Sequence, residues 1–171
     1  KANKSSLGVR RYALSGTFGP GYLANMGVGL ATTESVIVID GRCRLTDPDA
    51  LGLLAGLSAN AGIATVSGPL VSGQDHLASG LGLTRDAEGT ECLALDTRAL
   101  TARFSRLVAA PSPWCFAFQR QAWVSKGGLE GQTGPLWTAP MAGRSGPAGR
   151  HLLAPVGIAA DKDLLANLNL T

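Results

Sequence analysis

Two short apolar segments, each following a helical pattern, constrain the fold of this chain more than any other feature. Val36 to Ile39 is a β-branched run with both faces apolar, which is typical of a buried parallel strand. Ile63 to Val66 is a second strand pattern. Helical and strand patterns that alternate in this way from Gly19 onward predict an α/β fold with a parallel, three-layer sheet.

The segment between these strands has the start and the buried face of a helix. Asp47 can cap it, and Pro48 suits the first helical position. Leu51, Leu54 and Leu57 recur at three-residue spacing and predict the side that faces the core.

Composition limits the classes of protein that fit. The 171 residues are 45% apolar and 16% charged, as in a single globular domain. No apolar run approaches the roughly 20 residues of a transmembrane helix. The net charge of +3 suits an anionic small ligand or a weak contact with acidic lipid. Lysine and arginine are scattered, so no nucleic-acid partner is predicted.

The cysteines and the N-terminal residues suggest a compartment. Cys43, Cys92 and Cys115 are odd in number and lack CxxC spacing, which argues against a disulfide framework or a structural zinc site. Lys1 to Arg11 is basic and polar, without the apolar stretch of a secretory signal. We therefore expect a cytoplasmic protein, with peripheral attachment to the inner membrane as an alternative.

The rest of the chain divides into five further patterns. Gly68 to Ala110 is broken by Gly and Asp and predicts an antiparallel excursion. Trp114 to Phe118 predicts a strand, and Arg120 to Ser125 predicts a short helix. Gly131 to Gly157 is rich in Gly and Pro and predicts a long loop. Asp161 to Leu170 predicts a closing helix.

Several of these segments share an order and a spacing with a known family. Asn25-Met26-Gly27 stands fifteen residues before Asp40, and Leu45 to Leu51 opens a helix with Asp-Pro-Asp. Val66 to Leu70 and Cys115 to Glu130 continue the pattern. Together these segments resemble the C-terminal portion of the catalytic domain of a family 2 glycosyltransferase.

The resemblance implies a three-layer, nucleotide-diphospho-sugar transferase-like (GT-A) sheet whose N-terminal strands are missing from this chain. Residues 1–130 would then form a partial glycosyltransferase core, residues 131–160 a Gly/Pro-rich loop, and residues 161–171 a C-terminal helix of the same domain. A missing N-terminal half or a second copy of the chain would complete the sheet.

The family's metal motif is altered in this sequence. In the family an Asp-x-Asp at a strand end holds Mg²⁺ or Mn²⁺ on the donor's diphosphate, so Asp40 is the candidate metal ligand. Arg42 stands where the second carboxylate is expected, and it would repel a metal ion. Arg42, with Arg44, would instead meet phosphate oxygens directly, and Asn25 completes the candidate nucleotide site. The alternative is that Arg42 is a solvated loop residue in a dead site.

The resemblance also suggests a base and an acceptor site. Asp161 matches the catalytic base and Asp163 a supporting residue, while the alternative for Asp161 is a helix cap. Trp114, Trp137 and Glu130 are the candidate acceptor residues, with a mobile lid around Trp137. For both tryptophans, burial in the core is the alternative.

The implied function is transfer of a sugar from a nucleotide-sugar donor to a glycan or lipid-linked acceptor, with inversion at the anomeric carbon. Because of Arg42, a second interpretation stays open. In it, the chain is a non-catalytic GT-A-like module that binds a nucleotide, a glycan or a protein partner.

Overall fold

The computed structural model describes residues 11–72, 75–78, 80–85, 87–97, 105–129, 137–141 and 150–168. The described helices are α1 (Pro20–Leu30), α2 (Ala50–Ser58), α3 (Arg120–Ser125) and α4 (Lys162–Asn167), with a 3₁₀ turn at Ala139–Met141. None of these helices has the length and apolar character needed to cross a membrane.

The described strands form three sheets. They are β1 (Ser35–Ile39), β2 (Cys43–Leu45), β3 (Ile63–Ser67), β4 (Leu70–Ser72), β5 (Asp75–Ala78), β6 (Leu81–Arg85), β7 (Glu91–Leu95), β8 (Arg106–Val108), β9 (Cys115–Gln119), β10 (Arg150–Leu153) and β11 (Ile158–Ala160). Helices and strands in this mixture confirm the predicted α/β class.

The largest sheet is mixed, with the strand order β1-β9-β3-β10-β8. β9 runs antiparallel to both β1 and β3, while β10 runs parallel to β3. The prediction of a parallel sheet is therefore wrong for β1. The connection from β1 to β3 includes α2, and these two strands run in the same direction. They are not neighbours in the sheet, because the later strand β9 lies between them and is antiparallel to both.

β1 also differs from the buried strand that its sequence predicts. It forms one edge of the five-stranded sheet, and its side chains are half-buried, with Ile39 exposed. The N-terminal strands implied by the family resemblance would pair along this edge, and they stay a prediction, as does the three-layer arrangement.

Two strands come from the range that was predicted to be a Gly/Pro-rich loop. Arg150–Leu153 forms β10, and Ile158–Ala160 forms β11 in a four-stranded sheet of order β2-β11-β4-β5. The loop prediction is wrong for these two segments. The two strands have four and three residues, which is too short to show a strand periodicity, and the surrounding Gly and Pro residues favour a loop.

The antiparallel excursion is confirmed in its described parts. β4 pairs antiparallel with β5, and β6 with β7. The β6–β7 hairpin forms a separate two-stranded sheet, which a bridge from Leu81 to Ala110 connects to the segment before β9.

The apolar core lies on both faces of the five-stranded sheet. Alternate residues of β9 belong to two clusters: Cys115 and Ala117 to one, Phe116 and Phe118 to the other. Because successive strand residues point to opposite faces, the clusters cover opposite sides. The first cluster includes buried residues of α2 and α4, and the second includes residues of α1 and α3.

α2 begins later than its sequence predicts, and its buried face differs in part. Its N-cap is Asp49, while Asp47 accepts a hydrogen bond from the Asp49 N–H in the preceding turn. The buried residues Ala50, Leu54 and Ser58 follow four-residue spacing, whereas Leu51 is 50% exposed. The predicted cap at Asp47 is therefore wrong. Of the three predicted core-facing leucines, Leu54 is buried and Leu57 is partly buried against the same core cluster, so the prediction is wrong for Leu51.

Candidate functional site

A tight turn at the end of β1 holds the two charged residues of the altered metal motif together. The backbone N–H and Nε of Arg42 both donate to Asp40 Oδ1 over 2.9 Å, and Nη2 donates to Oδ2 over 2.8 Å. The Asp40 N–H donates to the Trp114 carbonyl, which fixes the turn to the segment before β9. The guanidinium therefore lies flat against the carboxylate in a bidentate pair.

This pairing fixes the charge state of the turn. The hydrogen bonds from Arg42 lower the pKa of Asp40 from its ordinary value, against the opposing effect of burial. The same contact raises the pKa of Arg42, and the nearby charge of Asp161 acts in the same direction. Burial, assisted by the charge of Asp40, raises the pKa of the Cys43 thiol to about 12, so this cysteine stays protonated.

The second sheet brings the candidate base to this turn. β11 pairs with β2 so that Ala160 lies opposite Cys43, and the Asp161 N–H donates to the Arg42 carbonyl over 3.0 Å. The structure thus places Asp161 beside Asp40 and Arg42, although more than a hundred residues separate Asp161 from these two along the chain.

Asp161 also performs the structural role that its sequence context predicts. Its Oδ1 accepts a hydrogen bond from the Leu164 N–H over 2.9 Å at the N-terminus of α4. The helix-cap interpretation is therefore confirmed, and a role as catalytic base stays a prediction. Asp163 lies exposed in the first turn of the same helix.

A cavity of about 410 Å³ opens beside this charged turn, and we call it the Asp40 cavity. Most of its wall is apolar, with Asp40 and Arg42 as its charged members. Its lining residues are Phe18, Pro20, Leu23, Asp40, Arg42, Pro113, Trp114, Trp137, Leu164 and Leu168. A neighbouring cavity of about 500 Å³ runs between α1 and β1 and shares five of these residues.

Both candidate tryptophans border the Asp40 cavity, but both are core residues. Trp114 is 1% exposed, and its Nε1 donates to the Gly68 carbonyl. Trp137 donates from Nε1 to the Pro113 carbonyl over 3.1 Å and packs against Phe116 at a ring-centroid distance of 5.6 Å. These contacts favour the core interpretation, while contact with a sugar stays a prediction for each.

Two other predicted residues do not join this group. Asn25 lies in α1, and its Oδ1 accepts hydrogen bonds from Trp123 and Leu129. Arg44 lies in β2 opposite Ala159 with an exposed side chain, and neither Asn25 nor Arg44 lines the two cavities. Glu130 lies outside the described residues. The binding roles of all three stay predictions.

The described residues do not fit a bound Mg²⁺ or Mn²⁺. Both carboxylate oxygens of Asp40 already accept hydrogen bonds from Arg42, whose charge opposes a cation. Within the described ranges, no three His, Cys, Asp or Glu side chains are grouped so that they could hold a metal ion. The implied metal therefore has no donor set in this part of the chain.

The sequence patterns missed the wall that α1 contributes to both cavities. Pro20 and Leu23 line each of them, opposite Pro113. The available signal was the complete absence of charge from Tyr12 to Thr33, which marks a segment that is not an ordinary solvated helix.

The sequence matches no protein-family model, and a search of curated proteins found no match. Solved structures do match, among them the crystal structure of GalNAc-T7 with UDP, GalNAc and Mn²⁺. That match has a TM-score of 0.60 and 14% sequence identity over 88% of this chain. The chain spans about a third of that protein's length (34%). The fold of the chain is therefore similar to that of a GT-A glycosyltransferase.

Proposed function

We propose that the chain acts as a glycosyltransferase that uses a nucleotide-sugar donor, whose diphosphate binds at the turn of Asp40 and Arg42. One observation carries the proposal: Arg42, paired with Asp40 at the wall of the Asp40 cavity, also accepts a backbone hydrogen bond from a second acidic residue, Asp161. The GT-A-like fold supports it, because the similar GalNAc-T7 structure contains UDP, GalNAc and Mn²⁺.

Arg42 is arranged to meet phosphate oxygens without a metal ion. A guanidinium has five N–H donors, and the contacts with Asp40 use Nε and one N–H of Nη2. The side chain is 39% exposed at the cavity, so its remaining donors are accessible. Because Asp40 fixes the plane of the guanidinium, little side-chain entropy is lost when a phosphate binds.

The charges around the turn make binding depend on the arginines. Asp40, Arg42 and Asp161 together carry one net negative charge, and the exposed Arg44 on β2 brings the sum to zero. Removal of either arginine would leave a net negative site for an anionic ligand.

The proposed reaction is a direct displacement. An acceptor hydroxyl oxygen attacks the anomeric carbon while the bond from that carbon to the diphosphate oxygen breaks, and the carbon inverts. Asp161 takes the hydroxyl proton through its second carboxylate oxygen, since Oδ1 caps α4. Arg42 stabilises the negative charge that develops on the leaving diphosphate. The acceptor is a glycan or a lipid-linked sugar.

Titration calorimetry with UDP tests the binding step. We expect Arg42→Ala to weaken UDP binding by about tenfold or more, since charge-assisted hydrogen bonds contribute about 1.5–3 kcal/mol. Arg85→Ala is the matched control, because Arg85 forms an exposed ion pair with Glu91 on the β6–β7 hairpin. Unchanged affinity of Arg42→Ala, or a large gain in affinity with Mn²⁺, would contradict metal-independent binding.

Asp161→Asn separates catalysis from helix capping. Asparagine caps helices about as well as aspartate but cannot take the proton. We expect this variant to bind UDP with unchanged affinity and to lose transfer and donor hydrolysis. If it keeps full turnover, Asp161 is not the base.

A second function, in another class, is favoured by a specific observation. Both carboxylates of the site are already engaged, Asp40 by Arg42 and Asp161 by the Leu164 N–H. Such a site suits a non-catalytic GT-A-like module that binds a nucleotide or a glycan. UDP binding without hydrolysis of any UDP-sugar donor would select this function over the first.

A further inference from the structure

The positive charge of the chain is concentrated at one end of its sequence. Residues 1–33 contain four basic residues, Lys1, Lys4, Arg10 and Arg11, and no acidic residue before Glu34. The whole chain has 15 basic and 12 acidic residues, so the remaining residues carry 11 basic and 12 acidic side chains. The entire positive excess therefore belongs to the first 33 residues.

The same stretch exposes a group of large apolar side chains, which we call the α1 face. They are between 37% and 56% exposed, and Arg11, also exposed, adjoins the first of them. The α1 face consists of Tyr12, Leu14, Phe18, Tyr22, Leu23 and Leu30.

The geometry of α1 explains why these side chains point outward. Its buried positions are Gly21, Ala24 and Val28, which pack toward the sheet. Tyr22 and Leu30, eight residues apart, share the opposite side of the helix. A surface helix ordinarily carries charged residues on that side, whereas α1 has none.

Two aromatic rings make the face continuous across the start of the helix. Phe18 stacks on Tyr22 with ring centroids 4.9 Å apart and an interplanar angle of 14°. An amphipathic ring such as Tyr22 suits the boundary between lipid headgroups and acyl chains.

We propose that the α1 face, with the exposed Arg11 beside it, docks onto an acidic lipid surface, which the net positive charge of the first 33 residues attracts. Apolar side chains that enter the interface and basic residues that attract anionic lipid act together in such docking. Charge complementarity carries the choice of partner, because the acid-free stretch and the exposed apolar side chains coincide.

α2 provides the contrast within the same molecule. It is also uncharged and exposes Leu51 and Leu53, but the residues that precede it include Asp47 and Asp49. An acidic surface would repel that end of the helix. Exposed leucines alone therefore do not define the lipid-facing side.

Vesicle sedimentation tests the proposal. We expect the protein to bind vesicles of phosphatidylcholine with phosphatidylserine, to ignore pure phosphatidylcholine, and to dissociate at high salt. The double variant Arg10→Glu with Arg11→Glu should weaken binding by about tenfold or more. Tyr22→Ser with Leu30→Ser should weaken it similarly, whereas Leu51→Ser with Leu53→Ser is the matched control and should bind as the parent does.

Three results would overturn the proposal: no binding to acidic vesicles, equal binding to neutral ones, or an equal loss in the control. Sedimentation velocity tests the alternative that a second copy of the chain binds the α1 face. If Tyr22→Ser with Leu30→Ser dissociates a dimer and vesicle binding is absent, a second copy covers the α1 face instead. Circular dichroism of each variant confirms that the fold is kept, since all four apolar positions are exposed.

Discussion

Asn25 is a single side chain that connects α1 to the turn after α3. Its Oδ1 accepts from Trp123 Nε1 over 2.9 Å and from the Leu129 N–H over 3.0 Å. The turn fits closely, because a Cβ on Gly128 would lie 2.3 Å from Asn25 Oδ1. Gly128 also has a φ of +66°, a conformation that glycine adopts without strain.

We expect Asn25→Ala to lower the free energy of unfolding by about 2 kcal/mol or more, because two N–H donors lose their acceptor. Urea denaturation measures this change. Asn25→Asp keeps an acceptor oxygen and should retain most of the stability. Equal losses in the two variants would show that packing, and not hydrogen bonding, fixes the turn.

His151 makes stability depend on pH. Its Nδ1 lies 2.8 Å from Thr65 Oγ1, and its Nε2 lies 3.2 Å from the Met141 carbonyl, so Nε2 donates and the threonine hydroxyl donates to Nδ1. Burial lowers the pKa of His151, and Lys126 acts in the same direction against the hydrogen bond to Met141. The folded state therefore favours the neutral ring.

Below about pH 6.5 the unfolded chain binds a proton on this histidine, while the folded chain, in which the pKa of His151 is lowered, binds it only at a lower pH. We expect the free energy of unfolding to fall as pH is lowered from 7.5 to about 5.5, by at most about 1.4 kcal/mol per pH unit. Urea midpoints across this range measure the slope.

His151→Gln should flatten this dependence. The other histidine of the chain is His76, and His76→Gln serves as the control that keeps the slope. A slope that follows His76 instead would contradict the assignment.

At the level of elements, two glycines inside α2 make this helix less stable than alanines would at the same positions. Gly52 and Gly56 lie inside the helix and are exposed, and a Cβ at either position would meet nothing within 4 Å. Glycine inside a helix costs up to about 1 kcal/mol relative to alanine.

We expect Gly52→Ala with Gly56→Ala to raise the free energy of unfolding by about 1–2 kcal/mol. Thermal and urea unfolding measure it. Gly62→Ala, just after the same helix, has a φ of +81° and should destabilise instead. A loss of stability in the double variant would contradict the idea that these two glycines weaken α2.

The elements that sequence predicted best are those with local signals. The α3 boundaries match the prediction, because a strand pattern precedes the helix and Gly127, at a φ of +76°, follows it. β10 and β11 were missed, since each is stabilised by distant partners: β10 by β3 and β8, β11 by β2 and β4. No local pattern reports such pairing.

At the scale of the whole molecule, some residues of the candidate site can be predicted from sequence, whereas the contacts between them are seen only in the folded structure. The turn of Asp40 and Arg42 is predicted from the resemblance to the metal motif of family 2 glycosyltransferases. The hydrogen bond from the Asp161 N–H to the Arg42 carbonyl depends on the β2–β11 register, which sequence does not report, and the bidentate contact between Asp40 and Arg42 is seen only in the structure. The sequence predictions missed the wall that α1 forms, although the absence of charge from Tyr12 to Thr33 was a signal for it.

The edge position of β1 has a consequence during synthesis. Val36 to Ile39 leaves the ribosome about 80 residues before its partner β9 does, an interval of roughly 4–16 s at 5–20 residues per second. An apolar, β-branched run left unpaired for that long is prone to aggregate. Glu34 and Asp40 flank it with negative charge, as gatekeeper residues do. Asp40 would thus protect the nascent chain before Arg42 pairs with it in the folded protein.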